Sequence, residues 1–202
     1  TRSLSGSASS VDVALGTAVN TARTFVLAGY RSPDSGNAIG ERMLRAQLLN
    51  ANTLRFDRDR TGDNIDEIVW QAVEIKDGTT VQHASEHFNN NDPQNTVAIT
   101  AVDTTRAIAF ASVQAVAGQS LGMSNYISGN ILGPGSFTLG LAATTLNITR
   151  NFDTERADVG WFVVEFVGAP HFALSHDGVG DNCIAESVTV SRHLADHSVD
   201  TT

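Results

Sequence analysis

Lysine is nearly missing from this sequence: Lys76 stands alone against twelve arginines. Lysine commonly blocks exposed sheet edges, so its scarcity leaves any such edge unguarded. Cysteine is as scarce. Cys183 alone excludes an internal disulfide framework, leaves the redox compartment open, and has no histidine-bearing motif around it to make it reactive. No apolar run approaches the ~18–20 residues of a membrane-spanning helix. A formal net charge of −9 argues against nucleic acid, which needs clustered Lys and Arg, and disfavours an anionic membrane surface. Thr1 in place of an initiator methionine leaves two explanations open: a processed secretory signal, or a boundary within something longer. No catalytic constellation stands out, so the sequence predicts a protein that is not an enzyme.

What is present is one stretch written twice. Ile68-Val69-Trp70-Gln71-Ala72-Val73-Glu74-Ile75 returns as Val159-Gly160-Trp161-Phe162-Val163-Val164-Glu165-Phe166, and the two copies hold both tryptophans. Eight residues rich in valine and aromatics are a strand's length and composition rather than a helix's. Alternation sets Trp70, Ala72 and Glu74 on one face and Val69, Gln71, Val73 and Ile75 on the other. Both faces are largely apolar, the pattern of a strand covered on both sides. The preceding stretches, Leu54–Arg58 and Leu146–Arg150, alternate too and are expected to complete a hairpin, with Phe56 facing Trp70 and Ile148 facing Trp161.

The matches continue in the same order along the chain. Arg106, Ile108 and Phe110 fall on Arg23, Phe25 and Leu27, while Leu139 and Leu141 fall on Gln47 and Leu49. A repeat this long with several short strands predicts an all-β fold: two tandem antiparallel β-sandwich units from an internal duplication, plus a C-terminal strand-bearing tail. The expected boundaries are a flexible lead-in over 1–10, a first repeat over 11–82, a linker over 83–95, a second repeat over 96–168 and a tail over 169–202. Within the tail, residues 185–190 alternate like an opening strand. Such a strand either folds back on its own chain or adds to a neighbour's sheet.

Several short patterns touch on chemistry. His83-Ala84-Ser85-Glu86-His87 fits the H-x-x-E-H spacing of one zinc-peptidase class, but it runs into Asn89-Asn90-Asn91-Asp92-Pro93, poor helix material, and a polar linker is the expected reading. His193 and His197 share that spacing in the tail and are expected to be solvated. Asp57, Asp59, Thr61 and Gly62 match the start of a calcium loop, whose twelfth position is Ile68 and cannot close the shell, so no cofactor is expected, with calcium the lesser alternative. Glu74 and Glu165 end the tryptophan strands, and Arg23 and Arg106 recur with them; a structural ion pair in each unit is expected. Asn147-Ile148-Thr149 fits the N-glycosylation acceptor pattern, but it lies in an expected strand and is expected to go unused.

The paired endings Trp70–Ile75 and Trp161–Phe166, preceded by Val19–Arg23 and Val102–Arg106, resemble repeat modules of large secreted bacterial and phage surface proteins. The ending in tryptophan is also similar to the H-type lectin sandwich, a likeness of fold in which no sugar-binding residue matches by position. The first resemblance implies extracellular, cell-surface or virion work that is structural or adhesive. The leading expectation is therefore self-assembly into a filament or layer, with Val188 and Val190 as donor anchors, Phe162 and Phe166 as further assembly residues, and loss of assembly when 184–202 are deleted. The alternative is a carbohydrate-binding adhesion module, its glycan site in the loops around 30–41 and 114–136.

Overall fold

Alternating valine, isoleucine and aromatic residues set the strands, and Gly, Asn, Asp and Pro set where they stop. The computed structural model describes residues 1–33, 39–76, 78–115, 135–166, 171–175 and 189–193. The fold is all-β, with no α-helix among the described residues. The first six strands are β1 (Arg2–Leu4), β2 (Ser10–Ala14), β3 (Thr24–Arg31), β4 (Arg45–Asn50), β5 (Thr53–Asp57) and β6 (Ile65–Glu74). The next six are β7 (Thr80–Phe88), β8 (Gln94–Ala98), β9 (Ala107–Ala115), β10 (Thr138–Leu141), β11 (Thr145–Thr149) and β12 (Ala157–Glu165). Two more, β13 (His171–Ser175) and β14 (Thr189–His193), pair with each other.

All pairings are antiparallel. The first sheet runs β1-β6-β3 and the second β2-β5-β4; the third runs β7-β12-β9 and the fourth β8-β11-β10. Strands 7–12 thus pair in the same order as strands 1–6. Registers agree as well: Phe25 lies opposite Val73 and Leu27 opposite Gln71, while Ile108 lies opposite Val164 and Phe110 opposite Phe162.

Two buried clusters hold these sheets. One gathers Leu4, Val26, Ile65 and Ile68 from the first sheet with Val13, Ala46, Leu48, Leu54 and Phe56 from the second, and Val81, Phe162 and Val164 of the third sheet complete it. The other joins Phe88, Val159, Trp161 and Val163 of the third sheet to Leu146 and Ile148 of the fourth. Strand β12 is apolar on both faces because both are covered: Phe162 and Val164 enter one cluster, Trp161 and Val163 the other. Burying an aromatic side chain of this kind contributes about 1.5–3 kcal/mol.

The contact between the halves is close. The backbone N–H of Ala46 in β4 donates to Ser112 Oγ in β9 at 2.8 Å. A Cβ on Gly160 would meet the Ala46 carbonyl oxygen at 2.9 Å, so glycine is what lets β4 lie on β12.

Several expectations are corrected. The tryptophan strands do not pair with the strands before them, because each pair divides between two sheets. Phe56 lies opposite Val11 and Ala46, Trp70 opposite Ala28; Ile148 lies opposite Leu139 and Asn95, Trp161 opposite Ala84 and Ala111. Residues 1–10 are no loose lead-in: Arg2–Leu4 pairs with β6, and Leu4 is buried. Nor are 83–95 a linker, since β7 spans Thr80–Phe88 across the expected boundary and pairs with β12 along its whole length. Leu139 and Leu141 occupy the positions of Ala46 and Leu48, one residue from the expected match, because both pairs lie opposite Phe56/Ile148 and Leu54/Leu146. Finally, β6 is covered on one face only, and Val69 is half exposed.

Candidate functional site

The recurring polar residues close turns. The Asn20 side chain accepts from Ala22 N at 3.0 Å, and Asp103 Oδ1 accepts from Thr105 N at 2.9 Å. The strand-ending glutamates reach the same place: Glu74 accepts from Asn20 N at 3.4 Å and Glu165 from Asp103 N at 2.9 Å. Backbone bonds finish each turn, from Ile75 N to Arg23 O and from Phe166 N to Arg106 O. The expected ion pair exists in one copy, where Arg106 Nη2 approaches Glu165 at 3.8 Å; among the described residues Arg23 forms none with Glu74. Arg106 prefers Asp103, at 3.0 Å. Hydrogen bonds from Thr105 hold the Asp103 carboxyl below the usual carboxylate range.

A second matched pair went unnoticed in the sequence, although it ends the Leu54–Arg58 and Leu146–Arg150 stretches. Arg58 and Arg150 are 2% and 3% exposed. Arg58 donates to the carbonyls of Ser5, Gly6, Ala8, Glu41 and Asp63, and Arg150 to those of Asn89, Asp92 and Glu155. Each reaches the carbonyl five residues ahead and the loop before the second strand of its half. Burial pushes both guanidinium groups below their ordinary value, though they stay charged. These arginines fasten loops. Their recurrence at the end of an alternating strand was the signal available.

The metal patterns resolve into ion pairs and packing. His83 and His87 lie on strand β7, where spacing by four extends along the strand instead of turning both rings to one point. The His83 ring lies tilted against Phe162 at 5.5 Å, and burial pushes its imidazole below the ordinary value. His87 Nδ1 lies 2.8 Å from Asp158, while Ser85 Oγ accepts from Arg45. In the calcium-like loop, Asp57 is held by Nε and Nη2 of Arg45, Asp59 by Arg156 and Asp63 by Arg42. Gly62 leaves room for the Glu41 carboxylate, which a Cβ there would strike. Among the described residues no three His, Cys, Asp or Glu side chains gather as a metal site.

What remains open is main chain and apolar surface. On the outer face of the first sheet Leu27 is 46% and Val69 50% exposed, beside exposed Gly29 and Gln71. The matching face of the third sheet carries Phe110, Ser112, Gly160 and Phe162, and there β4 covers it. An edge is open too. Strand β1 meets β6 only at Ile65 and Ile68, so among the described residues Val69–Glu74 have a partner on the β3 side alone. In the third sheet β7 fills that edge of β12 from Ala157 to Glu165.

No family model, curated protein or solved structure matches this chain. The expected assembly residues fare unequally. Phe162 is corrected: at 3% exposed and stacked on Phe110 at 5.4 Å, it is used within the chain. Phe166 is 38% exposed. Val190 lies in β14 opposite Leu174 of β13, and Val188 lies outside the described residues, as do Cys183, residues 185–187 and His197. Most of the two proposed glycan loops, 34–38 and 116–134, also lie outside them.

Proposed function

We propose that this chain is an extracellular structural protein, not an enzyme, made of one six-stranded β-sandwich unit written twice, which assembles with its own copies into a filament or a surface or virion layer. Support for the duplication is the shared pairing order, the shared register and the matched Asn20/Asp103 and Arg58/Arg150 turns. The resemblance to repeat modules of secreted bacterial and phage surface proteins points the same way. Assembly rests on one observation. The face that β4 covers in the second unit leaves Leu27 and Val69 exposed in the first. An exposed apolar face beside an unpaired strand edge is a joint awaiting a partner. Sedimentation and electron microscopy of the purified chain test this: the wild type forms polymer, while Leu27→Lys with Val69→Lys stays monomeric and folded. Wild-type protein that remains monomeric at working concentration defeats the proposal.

A further inference from the structure

The joint between the two halves supplies a template for the joint between molecules. Strand β7 begins six residues past the end of β6, from Glu74 to Thr80, and then joins the sheet of the following half, where it pairs with β12. Strand β13 begins six residues past the end of β12, from Glu165 to His171. It stands where β7 stands, one half later. Its only partner among the described residues is β14, on one edge, so its second edge has none there.

We infer that β13 of one molecule completes the open edge of β6 in the next, as β7 completes β12 within the chain. This rests on the self-assembly reading and names its strand, partner and register. Thr80 lies opposite Glu165, Val81 opposite Val164, Gln82 opposite Val163, His83 opposite Phe162 and Ala84 opposite Trp161. Carried over, His171 lies opposite Glu74, Phe172 opposite Val73, Ala173 opposite Ala72, Leu174 opposite Gln71 and Ser175 opposite Trp70. Phe172 and Leu174 then take the register positions of Val81 and His83; in the chain itself Val81 is buried and His83 packs against Phe162. Main-chain hydrogen bonds of an added strand supply affinity and alternate side chains supply register. The donated strand is therefore 171–175 and not the 185–190 segment that the sequence singled out.

The donor half also carries the matching seat. Between β9 and β10 lies a cleft of about 250 Å³ lined by Val113, Phe137, Leu139 and Val159 among others. The corresponding cleft in the first half, between β3 and β4 and about 220 Å³, is walled on its far side by Phe110 and Phe162 of the third sheet, with Phe25 meeting Phe110 edge-on at 5.6 Å. Leu27 holds the place of Phe110 on the next molecule's first sheet, so that sheet's outer face seats in the cleft as its edge receives β13.

The test is intermolecular disulfide trapping in a Cys183→Ser background. One preparation carries Ala72→Cys, a second, mass-tagged, carries Ala173→Cys, and the two are mixed under oxidising conditions. A covalent heterodimer is expected from this mixture, and none above background when Leu174→Cys replaces Ala173→Cys. If the mixture sediments as polymer yet yields no register-specific heterodimer, strand donation by β13 is wrong while assembly stands. If it sediments as monomer, the assembly reading fails and this inference fails with it.

Discussion

Arg58 shows how much one side chain holds here. It gathers five backbone carbonyls from three separate loops, and Arg150 does the same work with three. A buried acceptor left without a donor costs about 1–3 kcal/mol, so Arg58→Met is expected to lower stability by at least about 3 kcal/mol. Urea unfolding measures this, and Arg58→Lys should recover only part, since an ammonium has three donors and no fork. Neither arginine reads as structural in the sequence, because a strand-ending Arg looks solvated until the loops that wrap it are known. The strand under His83 and His87 is hidden for a related reason: the polar 83–95 stretch conceals β7. His83 yields a pH prediction. Its imidazole is held below the ordinary 6.5, so the folded chain resists a proton that the unfolded chain accepts. Stability therefore declines as pH drops below about 6.5 toward the lowered value. Asp12, Asp92 and Asp103 are held below 3.8 by hydrogen bonds from Arg55, Asn89 and Thr105 respectively, and their contribution is lost only as pH falls from about 4 through their lowered values. Melting temperature against pH should show both declines, and His83→Phe should remove the first while leaving the second.

Among the elements, strand β12 was the most legible, since its two apolar faces match two real clusters. Its counterpart β6 reads alike but is covered on one side only, and composition alone does not say whether the second cover comes from the same chain. The expected hairpins failed because short polar loops between strands fit a crossing to the opposite sheet as well as a return along the same one. Glycine placement separates the two joints. Gly160→Ala forces a Cβ against the Ala46 carbonyl and the Arg45 side chain, and overpacking of this kind is expected to destabilise by about 1–3 kcal/mol in thermal or denaturant unfolding. A Cβ at Gly29, the position matching Ser112, meets nothing within 4 Å. Gly29→Ala should therefore leave the unfolding midpoint of isolated molecules unchanged within about 0.5 kcal/mol. Its effect, if the outer face seats on a neighbour, falls on polymer yield.

For the molecule as a whole, the recurrence of the tryptophan stretch was visible in the residues, and the pairing order of the four sheets repeats in step with it. The strand proposed as donor was not visible, because β13 is five unremarkable residues singled out only by their distance past β12. The unguarded edge is a feature of this scale too. Lys76 lies just beyond the end of β6, and Val69–Glu74 carry no positive charge to discourage a partner. Placing Lys at Gln71 is expected to halve polymer yield or more at equal concentration without shifting the melting temperature by over a few degrees, as turbidity and calorimetry would record.

In the proposed donation the receiving edge is that of β6 and the offered strand is β13, so the two termini of such a chain of molecules would be chemically unlike. Such a contact does not close on itself by symmetry. Growth by this proposed contact would have a direction, one tip presenting Val69–Glu74 and the other His171–Ser175. A single molecule that blocked either tip would therefore set the length of everything behind it.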